Sequence, residues 1–161
     1  MTRKTIILYR GPSLINGKPI VALAQSESVN SKTGNMVQTF ILSDEFDPIT
    51  ASRNGSDESI CGDCLHRGKP NDNDKGQATG RTCYVTLAHA PLGKYKKLKR
   101  GGYGQTIATR QEIVAFGAGR GVRLGTYGDP CAVPNSIWES LTSRAEFQTA
   151  YTHGAVNPWP E

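Results

Sequence analysis

The chain has 161 residues, 37% of them hydrophobic, with 18 glycines, 9 prolines and a formal net charge of +5. That length fits a single domain, 1–161, with a real core, and the lack of any run of about 18 apolar residues excludes a membrane-spanning helix. The surplus charge sits late: residues 75–161 carry 11 basic and 5 acidic side chains, against 8 and 9 in residues 1–74, a bias that suggests anionic partners, nucleic acid first, with ordinary solubility as the equally weighted alternative.

The stretch Met1–Arg10 has a basic lead, but its apolar part is too short for a signal peptide. The expected location is therefore cytoplasmic, where thiols stay reduced and four cysteines favour metal binding over a disulfide framework. Residues 5–9 and 19–25 are β-rich runs separated by the turn residues Gly11-Pro12-Ser13 and Asn16-Gly17. A third run, Met36–Leu42, follows the turn Lys32-Thr33-Gly34-Asn35. These three are predicted strands, at least partly antiparallel, and Asp44–Pro48 then opens a short helix or turn.

From about residue 52 to 81 the chain is nearly all polar, a composition that alone reads as disorder. It is bracketed by Cys61-Gly62-Asp63-Cys64-Leu65-His66-Arg67-Gly68 and Cys83. Cys61 and Cys64, two residues apart, can form a knuckle on one ion, with Cys83 as third ligand and either His66 or Cys131 as fourth. Thiolates and imidazoles suit zinc, and four cysteines would also suit an iron–sulfur cluster. The spacing thus predicts a cysteine-bracketed, metal-pinned loop over 58–84; the competing reading is reduced thiols packed as small hydrophobes.

Cys83–Leu87 reads as a buried strand and Pro91–Lys99 as a helix stopped by Gly101-Gly102. The segment Lys94-Tyr95-Lys96-Lys97-Leu98-Lys99-Arg100, with Tyr103 beyond it, combines cations for phosphates with tyrosines for base stacking, a candidate nucleic-acid footprint. The plain alternative is a solvated helix face. Thr109 and Glu112 predict a capping box opening a helix that ends at Gly117 or Gly119. A strand over 122–127 follows, then a helix with Pro134 in its first turn and Ile137, Trp138, Leu141 and Ala145 on one face, then a strand over 147–152. The second part reads β-α-α-β-α-β, which argues for a mostly parallel C-terminal sheet with helical crossovers beside the antiparallel N-terminal strands, an α/β fold. Asp129 and His153 end successive parallel strands and should be neighbours at the edge where such sheets place ligands, with Asp129 orienting His153 for acid–base work or metal ligation. Against that stands a capping role for Asp129 and a surface role for His153. Gly117-x-Gly119-x-Gly121 precedes its strand, so it is no dinucleotide fingerprint.

The residues Cys61–Gly68, Cys83-Tyr84-Val85, Arg123–Pro130 and Tyr151-Thr152-His153 resemble an uncharacterised family of small phage- and plasmid-borne proteins over about residues 30–155. The resemblance implies a host-cell cytoplasmic location and brings no established activity. More remotely, the cysteine–tyrosine pair with the Gly-Asp and Tyr-Thr strand ends is similar to phage proteins related to radical-SAM enzymes. The chain lacks CxxxCxxC and is short for a complete barrel, two departures that count against classical radical-SAM catalysis.

The expected function is a phage-type accessory protein that binds a structural metal through cysteines and contacts nucleic acid through Lys94–Arg100. The alternative is a metal-assisted enzyme acting on a nucleotide or nucleic acid with Asp129 and His153. A third is an inhibitor that binds a host protein, using Trp138, Trp159 or the polar loop as anchors.

Overall fold

A computed structural model describes residues 4–26 and 35–153; Trp159, Gly154 and most of the turn at 32–35 lie outside them. Five strands form one sheet in chain order: β1 (Thr5–Pro12), β2 (Pro19–Gln25), β3 (Val37–Ser43), β4 (Gly121–Tyr127) and β5 (Phe147–Ala150). β1–β2 and β2–β3 pair antiparallel, and β3–β4 and β4–β5 pair parallel. The α/β architecture with antiparallel N-terminal strands and a parallel C-terminal sheet is therefore the fold of this chain. β1, β3, β4 and β5 all run the same way, so their carboxyl ends (Pro12, Ser43, Tyr127 and Ala150) share one edge.

The strand sequences explain where the core sits. β3 is buried at every residue and β2 at all but its ends, so both faces of the sheet centre are covered. Ile20, Val21, Leu23, Ile41 and Leu42 meet Trp138 and Leu141 in one cluster. β5, exposed throughout, is a short edge strand.

The helices are α1 (Pro48–Asn54), α2 (Glu58–Cys61), α3 (Ala90–Lys99), α4 (Arg110–Gly117) and α5 (Asn135–Thr142). α1 and α4 start where a side chain satisfies free backbone donors. Asp47 caps α1 by accepting from Ile49 N and Thr50 N. The capping box at Thr109 and Glu112 makes both of its reciprocal bonds, and α4 stops at Gly117. Pro134 precedes α5 as its cap, one position earlier than expected, and Trp138 and Leu141 carry the buried face.

The predicted strand at 83–87 does not form. The carbonyls of Cys83 and Val85 accept from the Arg81 guanidinium, and Tyr84 is 74% exposed. β3 already has β2 and β4 as neighbours, so the segment has no place beside β3. Only Leu87 is driven fully into the core.

Gly128, just past β4, needs to be glycine. Its φ is +83°, and a Cβ there would lie 2.7 Å from the Ile41 Cβ and 2.9 Å from the Ile41 carbonyl oxygen. Gly128→Ala should therefore lower stability by about 2 kcal/mol, combining left-handed strain with overpacking; urea unfolding of the two proteins checks this.

Candidate functional site at the carboxyl edge

The polar excursion after α1 is held by its own hydrogen bonds. Arg67 donates to Asp57 Oδ1 through Nε and Nη2, to the Gly62 carbonyl through Nη1 and to the Gly55 carbonyl through Nη2. Lys69 and Thr79 exchange both backbone bonds, at 2.8 and 2.9 Å. The Arg53 guanidinium donates to the Gly76 carbonyl, and Ala78 N donates to Ser52 Oγ. Thr82 N and Cys83 N both donate to the His66 carbonyl, which seats the third cysteine's strand of chain beside the histidine. Composition suggested disorder; side-chain-to-backbone bonding supplies the order instead.

A bulge shapes the end of β4. Gln38 faces Arg123 and Phe40 faces Tyr127, so Leu124, Gly125 and Thr126 stand against the single residue Thr39. The buried Thr39 hydroxyl bridges the gap, donating to the Arg123 carbonyl and accepting from Gly125 N. Gly125 takes a φ of +74° there. Bulges re-aim strand ends near functional sites, and this one turns Gly125, Thr126 and Tyr127 into a cavity wall. The Thr126 hydroxyl is buried with no hydrogen-bond partner among the described residues.

Asp129 and His153 are neighbours, as the parallel strands required, but the contact differs from the expected one. Asp129 Oδ2 accepts from the backbone N of His153 at 2.7 Å, and Oδ1 accepts from Thr152 Oγ1 at 2.8 Å and Cys131 N at 3.0 Å. The carboxylate clamps the chain leaving β5 instead of orienting the imidazole. The His153 ring stands edge-on to the His66 ring, with centroids 5.7 Å apart, while His66 Nδ1 is 2.9 Å from Thr82 Oγ1. His66 and His153 thus join the cysteine loop to the strand ends.

The two groups of residues line one cavity of about 610 Å³. Its wall includes Cys61, Cys64, Cys83, His66, His153 and Asp129. Cys61, Cys64 and Cys83 are each partly buried free thiols. Burial pushes the Cys61 thiol well up, with Asp57 adding to the rise and Arg67 opposing it. Burial likewise raises the Tyr127 hydroxyl behind it. Cys131 stands apart from the cavity wall; burial, together with hydrogen bonding to Asp129, pushes its thiol up to about 12. Of the two candidates for a fourth ligand, His66 shares the cavity with the three thiols and Cys131 is engaged by Asp129. No three His, Cys, Asp or Glu side chains among the described residues already stand together as a metal-holding group.

The basic segment forms α3 and the turn after it, and much of its charge has local work. Lys94 Nζ sits 4.7 Å from the centre of the Phe40 ring and Lys97 Nζ 5.1 Å from that of Tyr103. Lys99 Nζ donates to Asp44, which also pairs with Arg10. Tyr95 and Tyr103 are partly buried against the core, and Lys96 and Arg100 remain exposed.

Sequence reasoning missed Arg67, Arg81, Arg123, Tyr84, Thr126 and Tyr151 as members of the site. Arg67 lies inside the cysteine-rich run and Gly125 interrupts an apolar strand pattern, the usual sign of a bulge. The partnering of Tyr84 with Arg123, whose Nη2 donates to the phenol oxygen at 3.0 Å, has no local signal. No family model, curated protein or solved structure matches this chain, and its function is therefore argued from this cavity.

Proposed function

We propose that the protein is a metal-assisted enzyme whose substrate enters the carboxyl-edge cavity. Cys61, Cys64 and Cys83 are the protein donors to a zinc-type ion, and His66 and His153 are the proton-transfer groups beside it. The observation that carries this reading is that three thiols and two imidazoles line one cavity at the strand ends.

The chemistry of the donor set supports it. A thiol raised by burial, as Cys61 is, makes a poor nucleophile at neutral pH, but it can serve as a ligand that releases its proton to solvent as its sulfur binds a cation. Structural zinc sites are closed by four protein ligands, whereas three donors beside an open cavity match catalytic sites. The loop has Arg67 and the Lys69–Thr79 pairing to hold it, so an ion is not required merely to order the chain. Binding entails rotation of the cysteine side chains about χ1 into a common position. A bound ion would polarise a substrate oxygen or water. His66 and His153, both exposed at the mouth, exchange protons with the ligand there.

Elemental analysis and an absorption spectrum of protein purified without chelators test the reading. The expected result is about one zinc per chain in a colourless protein, lost in the Cys64→Ser, Cys83→Ser double variant while the circular dichroism spectrum stays intact. Iron with a brown colour would reassign the same thiols to a cluster. Protein that holds no metal and takes up neither added zinc nor iron would refute it.

A further inference from the structure

We propose that the mouth of this cavity is a mononucleotide site, with Arg81 and Arg123 for the phosphate and Tyr84 and Tyr151 for the base. This deepens the enzymatic reading by naming the substrate class, and it rests on that reading only for the purpose of binding.

The charges on the cavity wall divide into used and available. Arg67 is consumed by Asp57 and two carbonyls. Asp57 is buried against it, and the Asp129 carboxylate accepts from Cys131, Thr152 and His153. Arg81 and Arg123 form no ion pair among the described residues, yet both are positioned. Arg81 Nη1 is tied to the Val85 carbonyl at 2.8 Å, which fixes the guanidinium while leaving its other nitrogens to a ligand. Arg123 Nη2 donates to the Tyr84 hydroxyl, a neutral acceptor that a phosphate oxygen outcompetes. Two held guanidinium groups on a concave wall recognise a phosphate.

The aromatic partners stand at the rim. Tyr84 is 74% exposed and Tyr151 75% exposed, and both line the cavity. Exposed rings on the same cavity wall as Arg81 and Arg123 provide stacking faces for a planar heterocycle. A cavity of about 610 Å³ is of the size that takes a small ligand. A single nucleotide carries both complements: a phosphate and a flat base.

Equilibrium binding of AMP and UMP, followed by calorimetry on the full chain, tests this. Adenosine, inorganic phosphate and a single-stranded dodecanucleotide serve as comparisons. A nucleotide should bind at least about tenfold more tightly than the nucleoside, because the charge-assisted contacts to phosphate are the strong ones. Arg123→Gln should weaken nucleotide binding about tenfold and leave adenosine unchanged, and Tyr84→Ala should weaken both by about fivefold or more. Arg81→Gln provides a second phosphate variant if Arg123→Gln misfolds. Metal content separates the two proposals: Arg123→Gln should keep any bound metal, and the Cys64→Ser, Cys83→Ser variant should still bind nucleotide. Equal affinity for nucleoside and nucleotide would overturn the site, as would no AMP or UMP binding at millimolar concentration. Binding of the dodecanucleotide alone would replace it with a strand-binding surface.

Discussion

Arg67→Ala should be the most damaging single substitution in the polar loop, costing about 3–5 kcal/mol of stability. The reason is what it leaves behind. The Asp57 side chain is 6% exposed and its Oδ1 takes two bonds from the guanidinium, the shorter at 2.7 Å. Removing the arginine strands a carboxylate in a poorly solvated position and also orphans the Gly55 and Gly62 carbonyls. The pH dependence gives the effect a signature. Burial already raises the Asp57 carboxyl above its ordinary value, with the Arg67 hydrogen bonds and charge opposing the rise. A carboxyl raised in the folded state binds its proton more tightly there than in the unfolded chain. Its contribution is most favourable below the unfolded value, near pH 4, and is lost as pH rises through the folded value. Without Arg67 the folded value rises further, so the variant's deficit should be small in acid and grow towards neutrality. Urea unfolding at several pH values would read this directly. A deficit that is constant across the series would mean that lost packing, and not the buried carboxylate, sets the cost. Asp57→Asn in the Arg67→Ala background should recover part of the loss at neutral pH only.

The same pair shows why the loop was hard to read. The strands are legible because β-branched and aliphatic runs between glycine and proline turns have one outcome in water, burial in a sheet. Residues 5–9, 19–25 and 122–127 all fall in strands, and the Thr109–Glu112 box marks a helix start to the residue. The stretch from 52 to 81 has no periodicity to read, because its order comes from long-range bonds such as Arg53 to Gly76 and Arg67 to Gly55. Residues 83–87 look like a strand since Val85 and Leu87 are apolar, yet Arg81 takes the Cys83 and Val85 carbonyls and the sheet has no free place beside β3. The site divides along the same line. The closeness of Asp129 to His153 follows from parallel strands, so it was predictable. The arrival of His66 and Cys83 at that edge depends on how the irregular segment folds back, and only coordinates supply that. The nature of the Asp129 contact was equally hidden, since a carboxylate at a strand end can bond a ring or a backbone amide and the sequence does not choose between them.

That choice has a measurable consequence at β5. The strand has only four residues, all exposed, and hydrogen-bonds to β4 alone in the sheet order. A short edge strand with so little burial is weakly held by its ladder. Asp129 compensates: it is 6% exposed and its two oxygens accept from Cys131 N, Thr152 Oγ1 and His153 N. Bonds to an ionised acceptor are worth about 1.5–3 kcal/mol each when measured singly, and they share one carboxylate here. Asp129→Ala should therefore lower stability by about 3 kcal/mol. Its sharper effect should be local. With the acceptor gone, the His153 amide loses its partner and Tyr151–His153 is released from the cavity wall, separating the imidazole from His66. Native-state hydrogen exchange should show the His153 amide moving from protected to fast, while amides in β2 and β3 change only by the global loss. The Asp129→Asn variant distinguishes the acceptor from the charge. Its amide keeps one oxygen to accept from the His153 amide while its N–H group donates to the Thr152 hydroxyl, so it should retain more of the His153 protection than Asp129→Ala. Persistent protection of that amide in Asp129→Ala would show that β5 is anchored by its pairing with β4, and that the carboxylate does not set the position of His153.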